Sequence, residues 1–204
     1  LGYTNINKSI KLNYKPNPST IFDLNKQYCE DLIRIYKQKY NLCAFTLRLA
    51  NVFGPGSSQD KDRGVINKMI IDAIKYNKIS LYGKGEIIRD FIYIDDVAEA
   101  IYLSLKHKSK LSVNDFYYIS TNKGVSFNEF AKNLDFIVKK KYHKPIKIKF
   151  LPWPDNIKLI DKRSFVGNNK QFVKITSWKP EKKLVININK YLNYLEGKFW
   201  KKKF

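Results

Sequence analysis

Apolar residues recur at helical spacing over residues 21–40, where Leu24, Tyr28, Leu32 and Ile35 share one face. Glu30, Asp31, Arg34, Lys37 and Lys39 take up much of the remaining surface. Pro18-Ser19 starts this helix, and the polar stretch before it reads as a loop. Leu42 to Leu49 is a nearly continuous apolar run and predicts a buried strand. Asn51 to Gly56 predicts a turn, by its Gly-Pro-Gly, and residues 57–63 a polar loop. Val65, Met69 and Ala73 recur every four residues and predict a helix over 64–77. A short strand follows at Ile79–Tyr82, ended by Gly83-Lys84-Gly85, then another at Ile87–Tyr93. Asp95 and Asp96 suit the cap and first turn of a helix running to about residue 107, with their carboxylates near its positive end.

The second half continues the alternation. Phe116–Ile119 predicts a strand, and Ser126 with Glu129 is a capping box for a helix over 127–141. Ile146–Leu151 predicts a strand, residues 152–170 are irregular, and Trp178-Lys179-Pro180 leads to a last helix at 184–198. Strands alternating with helices argue an α/β fold.

Composition adds limits. The chain has 204 residues, of which 44% are hydrophobic and 15% aromatic, enough for a real core. Its apolar stretches fall far short of the roughly 20 residues that cross a bilayer. No leader of the secretory type is seen, so a cytoplasmic protein is expected. Cys29 and Cys43 read as buried free thiols. The net charge is +21, but only 5 of the 39 basic residues are Arg, so specific nucleic-acid recognition is not expected. Solvated lysine, with weak polyanion affinity as a by-product, explains the charge. His107 and His143 stand alone, and no His/Cys/carboxylate cluster has metal-ligand spacing.

Four blocks carry chemistry. They are Pro18-Ser19-Thr20-Ile21-Phe22-Asp23-Leu24-Asn25-Lys26 with Glu30 beyond it, Leu47 to Gly56, Leu81 to Ala98, and Trp178-Lys179-Pro180. In this order and spacing the chain resembles the C-terminal part of the extended short-chain dehydrogenase/reductase family, in its NAD-dependent epimerase/dehydratase branch acting on nucleotide sugars. The resemblance implies the edge of a Rossmann-type, doubly wound parallel sheet (residues 1–110) plus a small α/β substrate-binding region. That region covers residues 111–204 and is intertwined with residues 50–90.

In that family a Tyr-x-x-x-Lys pair on one helix turn does the proton chemistry. The tyrosine removes a proton from a sugar hydroxyl while hydride passes to NAD, and the lysine lowers its pKa and holds the nicotinamide ribose. Lys26 matches the lysine; Phe22 stands at the tyrosine position and cannot ionise. Tyr102/Lys106 and Tyr194/Lys198 have the same spacing but lack the Pro-Ser-Thr lead-in. Asn51 and Arg89 match diphosphate contacts, Arg163 resembles a second one, and Val65, Ser80 and Tyr82 match the base and ribose pocket. For Arg89 the competing role is an ion pair with Asp90.

The family's Gly-x-x-Gly-x-x-Gly dinucleotide motif is absent from the sequence. The resemblance therefore implies a fragment of an epimerase/dehydratase that is inactive as it stands. NAD belongs to the complete parent, and the 21–40 helix to a homodimer interface. Two rivals remain at this point: a non-catalytic nucleotide-sugar-binding or dimerisation protein, and a polyanion-binding basic protein. A chain lacking the central strands is also expected to fold poorly alone.

Overall fold

A computed structural model describes residues 16–56, 64–155, 162–181 and 183–200. The chain runs through α1 (Ile21–Tyr40), β1 (Thr46–Leu49), β2 (Asn51–Phe53), α2 (Val65–Tyr76) and β3 (Lys78–Tyr82). Next come β4 (Ile88–Arg89), β5 (Phe91–Tyr93), α3 (Ile94–Lys106), α4 (Lys108–Leu111) and β6 (Phe116–Ile119). It finishes with β7 (Val125–Ser126), α5 (Phe127–Tyr142), β8 (Lys147–Leu151), α6 (Lys170–Thr176) and α7 (Leu184–Trp200).

One extended run changes partner in its middle. β1 pairs parallel with β6, and after Ala50 the same run continues as β2, parallel to β5. The Ala50 N–H still reaches Ile119 O at 2.9 Å, whereas the Asn51 N–H reaches Asp90 O at 2.9 Å. The turn expected at Asn51 is therefore a strand up to Phe53, and the chain bends at Gly54, where φ is +128°. A Cβ on Gly54 would stand 2.8 Å from the Ile94 side chain. The expected Ile87–Tyr93 strand is likewise two strands separated by Asp90. β3 pairs parallel with β8, and β4 pairs antiparallel with β7.

Two apolar clusters hold these elements. The larger lies between α2, β3, α5 and α7 and includes Phe53, Ile70, Phe130, Leu134, Ile188 and Leu192. Phe130 sits edge-on to both Phe53 and Phe91. The smaller joins β5, α3, β6 and α6 through Ile92, Ala100, Tyr117, Phe172 and Trp178. Ser126 caps α5 as its sequence predicts, accepting from the Glu129 N–H at 3.0 Å.

Two expectations are corrected. Asp95 and Asp96 stand in the first turn of α3, as expected, but neither caps it: the N-cap is Tyr93, and Asp96 Oδ1 accepts from the Glu181 N–H at 3.2 Å. Cys29 and Cys43 are free but exposed, not buried. The apolar face of α1 is exposed, and Asp23 is its one buried residue. The spacing placed those side chains together, but no described element lies over them.

Candidate functional site

The alternation of β3 buries Ile79 and Leu81 and turns Ser80 and Tyr82 to the other face. There they meet Asn51 from the head of β2, Val65 from the start of α2, and Arg89 from β4, around a cavity of about 420 Å³. Five of the sequence-derived substrate residues thus line one space, with an apolar floor that includes Met69 and Phe127. Trp153 closes one side by stacking on Tyr82, with ring centroids 5.5 Å apart and planes 23° from parallel. Gly83 makes this possible: at its φ of +59° a Cβ would stand 2.5 Å from Trp153 Nε1.

Arg89 is not paired with Asp90. Its Nη1 donates to the Ile88 carbonyl at 3.1 Å and to the Arg163 carbonyl. The Asp90 carboxylate is fully buried and accepts four bonds. Oδ1 takes the Thr121 N–H (2.9 Å) and hydroxyl (2.7 Å); Oδ2 takes the Asn122 N–H (3.0 Å) and Gly167 N–H (3.3 Å). Burial nevertheless wins, and pushes the Asp90 carboxyl above its ordinary range against these bonds. Asp90 is thus a staple tying β5 to the loops before β7 and α6. Arg163 does not line the cavity; its guanidinium lies 3.9 Å from Asp23 Oδ1, on α1 beside Phe22.

Phe22 and Lys26 lie one turn apart on α1, with Lys26 Nζ 5.5 Å from the Phe22 ring centroid. The Thr20 hydroxyl caps this helix by accepting from the Asp23 N–H at 3.1 Å. Both residues line a second cavity of about 460 Å³ between α1 and β1, which Tyr118 and Phe165 complete. Its wall is an ion pair: Arg48 Nε and Nη2 donate to Glu30 Oε1 and Oε2 at 2.9 and 2.6 Å. Arg48 also donates to the Tyr118 hydroxyl at 3.1 Å and lies 3.5 Å above the Phe116 ring centroid. Tyr102 and Tyr194 lie on α3 and α7, outside both cavities. Burial and Asp95 raise the Tyr93 phenol to about 12, which keeps it protonated.

Sequence reasoning did not single out Trp153, Asp90 as a staple, or the Arg48 fork. Arg48 had a signal: a cation inside an apolar strand needs a buried partner. Trp153 had none beyond being a large aromatic in an irregular stretch.

These features have a common source: the chain belongs to the NAD dependent epimerase/dehydratase family, whose model matches residues 4–120. It is 32% identical over 117 residues to a putative UDP-glucose 4-epimerase of Methanocaldococcus jannaschii, covering 57% of this chain and 37% of that protein. It is 32% identical over 85 residues to dTDP-glucose 4,6-dehydratase 1 of Escherichia coli, covering 42% of this chain and 23% of the enzyme. The chain therefore spans well under half the length of these curated relatives. In three dimensions it resembles UDP-glucose 4-epimerase of Thermotoga maritima, solved with UDP-glucose. The TM-score is 0.75 and the identity 22%, over 90% of this chain and 55% of that one. UDP-glucuronic acid 4-epimerase of Bacillus cereus, solved with UDP-glucuronic acid and NAD, gives a TM-score of 0.76 at 18% identity, over 97% and 59%. These likenesses establish a Rossmann-type α/β fold. No described helix is long and apolar enough to cross a membrane.

Proposed function

We propose that this chain is the nucleotide-sugar-holding part of an NAD-dependent epimerase or dehydratase. The observation that supports it most is the 420 Å³ cavity that gathers Asn51, Val65, Ser80, Tyr82 and Arg89. On this reading Arg89 and Asn51 face the diphosphate, and Val65, Ser80 and Tyr82 the nucleoside. Arg163 acts from behind: its carbonyl fixes the Arg89 fork. Residues 1–110 belong to the dinucleotide domain. Residues 111–204, interleaved with 50–90 through the β3–β8 and β4–β7 pairs, form the substrate region.

NAD, when bound in such an enzyme, accepts the hydride of the sugar carbon and returns it. The described residues do not form a dinucleotide site, since none supplies a glycine-rich turn opening a helix. Lys26 alone fits, as the cation for the nicotinamide ribose. Phe22 holds the position of the proton acceptor without an ionisable group, so we assign the chain binding without turnover. The exposed face of α1 fits a homodimer interface.

Calorimetry with UDP-glucose and dTDP-glucose tests this reading. Binding is expected at micromolar to millimolar affinity, weakened at least about tenfold in Arg89→Ala and changed less than about twofold in Phe22→Tyr. No heat at millimolar ligand overturns the binding assignment. NAD-dependent turnover by the unaltered chain overturns the assignment of inactivity.

A further inference from the structure

A third cavity, of about 620 Å³, lies away from both spaces described above and shares no lining residue with them. Three lysines, Lys170, Lys174 and Lys179, line it, together with Val173 and Trp178, and among the described lining residues there is no carboxylate. Some lysines elsewhere pair with acids, as Lys37 does with Asp115, Lys68 with Asp72 and Lys141 with Glu196. Lys170 and Lys174 are four residues apart on α6, the spacing at which like charges destabilise a helix. Ser177, at φ +58°, then turns the chain so that Lys179 faces the same space.

The frame around these cations is fixed. Asn169, at the head of α6, is buried and donates its Nδ2 to the Ser120 carbonyl at 2.7 Å. Trp178 is buried, with Nε1 donating to the Asp96 carbonyl at 3.2 Å. An open cleft lined by three exposed lysines, with an apolar wall and no carboxylate among its described lining residues, suits a ligand with several negative charges close together. The volume lies within the range of small-molecule sites.

We propose that this cleft binds a small polyphosphate-bearing molecule, at a site separate from the cavity around Arg89. The shared chemistry is a phosphate chain; inorganic tripolyphosphate and ATP as probes separate a bare chain from a nucleotide. Calorimetry on the full 204-residue chain in low salt is the test. Expected is saturable binding that Arg89→Ala leaves within about twofold and that the Lys170→Glu/Lys174→Glu variant weakens at least about tenfold, more steeply at low ionic strength. The control is Lys139→Glu/Lys140→Glu, a reversal of equal size at the exposed end of α5, expected to change affinity less than about twofold. Circular dichroism checks that each variant keeps its helix content. ATP binding more tightly than tripolyphosphate assigns the apolar wall to a base; equal affinity assigns the site to the phosphate chain alone. Equal losses in both charge-reversal variants, or no saturable heat with either probe at millimolar concentration, overturn the proposal.

Discussion

The region around α5 and the region around α1 use helices of similar amphipathicity to opposite ends. On α5, Phe130, Ala131, Leu134, Ile137 and Val138 are all buried against α2, β3 and α7. On α1, Leu24, Tyr28 and Ile35 stay 55%, 61% and 51% exposed. Polar contacts carry α1 instead: Glu30 to Arg48, Lys37 to Asp115, and Asp23 near Arg163. One helix is held by what it excludes from water; the other is clamped by charges while its apolar side chains remain wet. Exposed apolar area on this scale is the feature on which the proposed homodimer interface rests.

The largest effects should separate the two regions by truncation. Phe130→Ala or Trp178→Ala is expected to cost about 3–5 kcal/mol, since each removes a fully buried ring from a packed cluster. Leu24→Ala or Ile35→Ala on α1, measured at protein concentrations low enough to keep the chain monomeric, is expected to change stability by less than about 0.5 kcal/mol. Urea unfolding of the four variants reads this directly. Equal losses in both sets would mean that α1 is covered in solution, and the contrast would fail.

Next in size is the Asp90 staple. Asp90→Ala leaves four donors without an acceptor and is expected to cost about 3 kcal/mol. Its pH dependence has a definite sign. The folded-state pKa is raised, so its contribution is fully present below the ordinary value of 3.8 and is lost as pH rises through the folded value. Measured against Asp90→Asn, the unaltered chain should lose relative stability as pH climbs above 3.8. A flat difference would mean that its hydrogen bonds cancel the burial.

The polar clamp on α1 comes third. Arg48→Ala strands Glu30 and is expected to cost about 2 kcal/mol, with helix content falling as α1 loosens. Arg48→Lys should recover less than half, because a single ammonium cannot make the two-pronged contact.

What could be read in advance follows the same division. The limits of α1, α2 and α5 came from periodicity, and the capping box placed Ser126 correctly, because these depend on local spacing. Spacing shows that α1 has an apolar stripe but not what surrounds it, and the stripe is exposed. β2 was hidden by Gly54-Pro55-Gly56, whose turn chemistry acts after Phe53 rather than across Asn51. α6, seven residues long, gave too little period to see. Five of the candidate residues, Asn51, Val65, Ser80, Tyr82 and Arg89, were nameable one by one through the family resemblance, but their gathering around one cavity depends on the β3–β8 and β4–β7 pairings, which bring together segments far apart in sequence. Trp153 illustrates the remainder, since only the fold lays it on Tyr82.

The smallest effect sharpens the comparison from the other side, by asking what a charge adds where packing is already complete. At the rim of the α5–α7 contact, Glu196 accepts from Lys141 Nζ at 2.6 Å and from the Tyr142 hydroxyl at 2.6 Å. Burial alone would raise its pKa, but the bonds from Lys141 and Tyr142 outweigh it and hold the carboxyl below its ordinary 4.5. A depressed folded value means that the contribution is present above 4.5 and is lost as pH falls through the folded value. Side chains about a quarter exposed are screened, so Glu196→Gln is expected to cost only about 0.5 kcal/mol at neutral pH and nothing at low pH. A loss near that of Arg48→Ala would mean that α7 too is held by charge, and that the two regions differ less than their apolar faces imply.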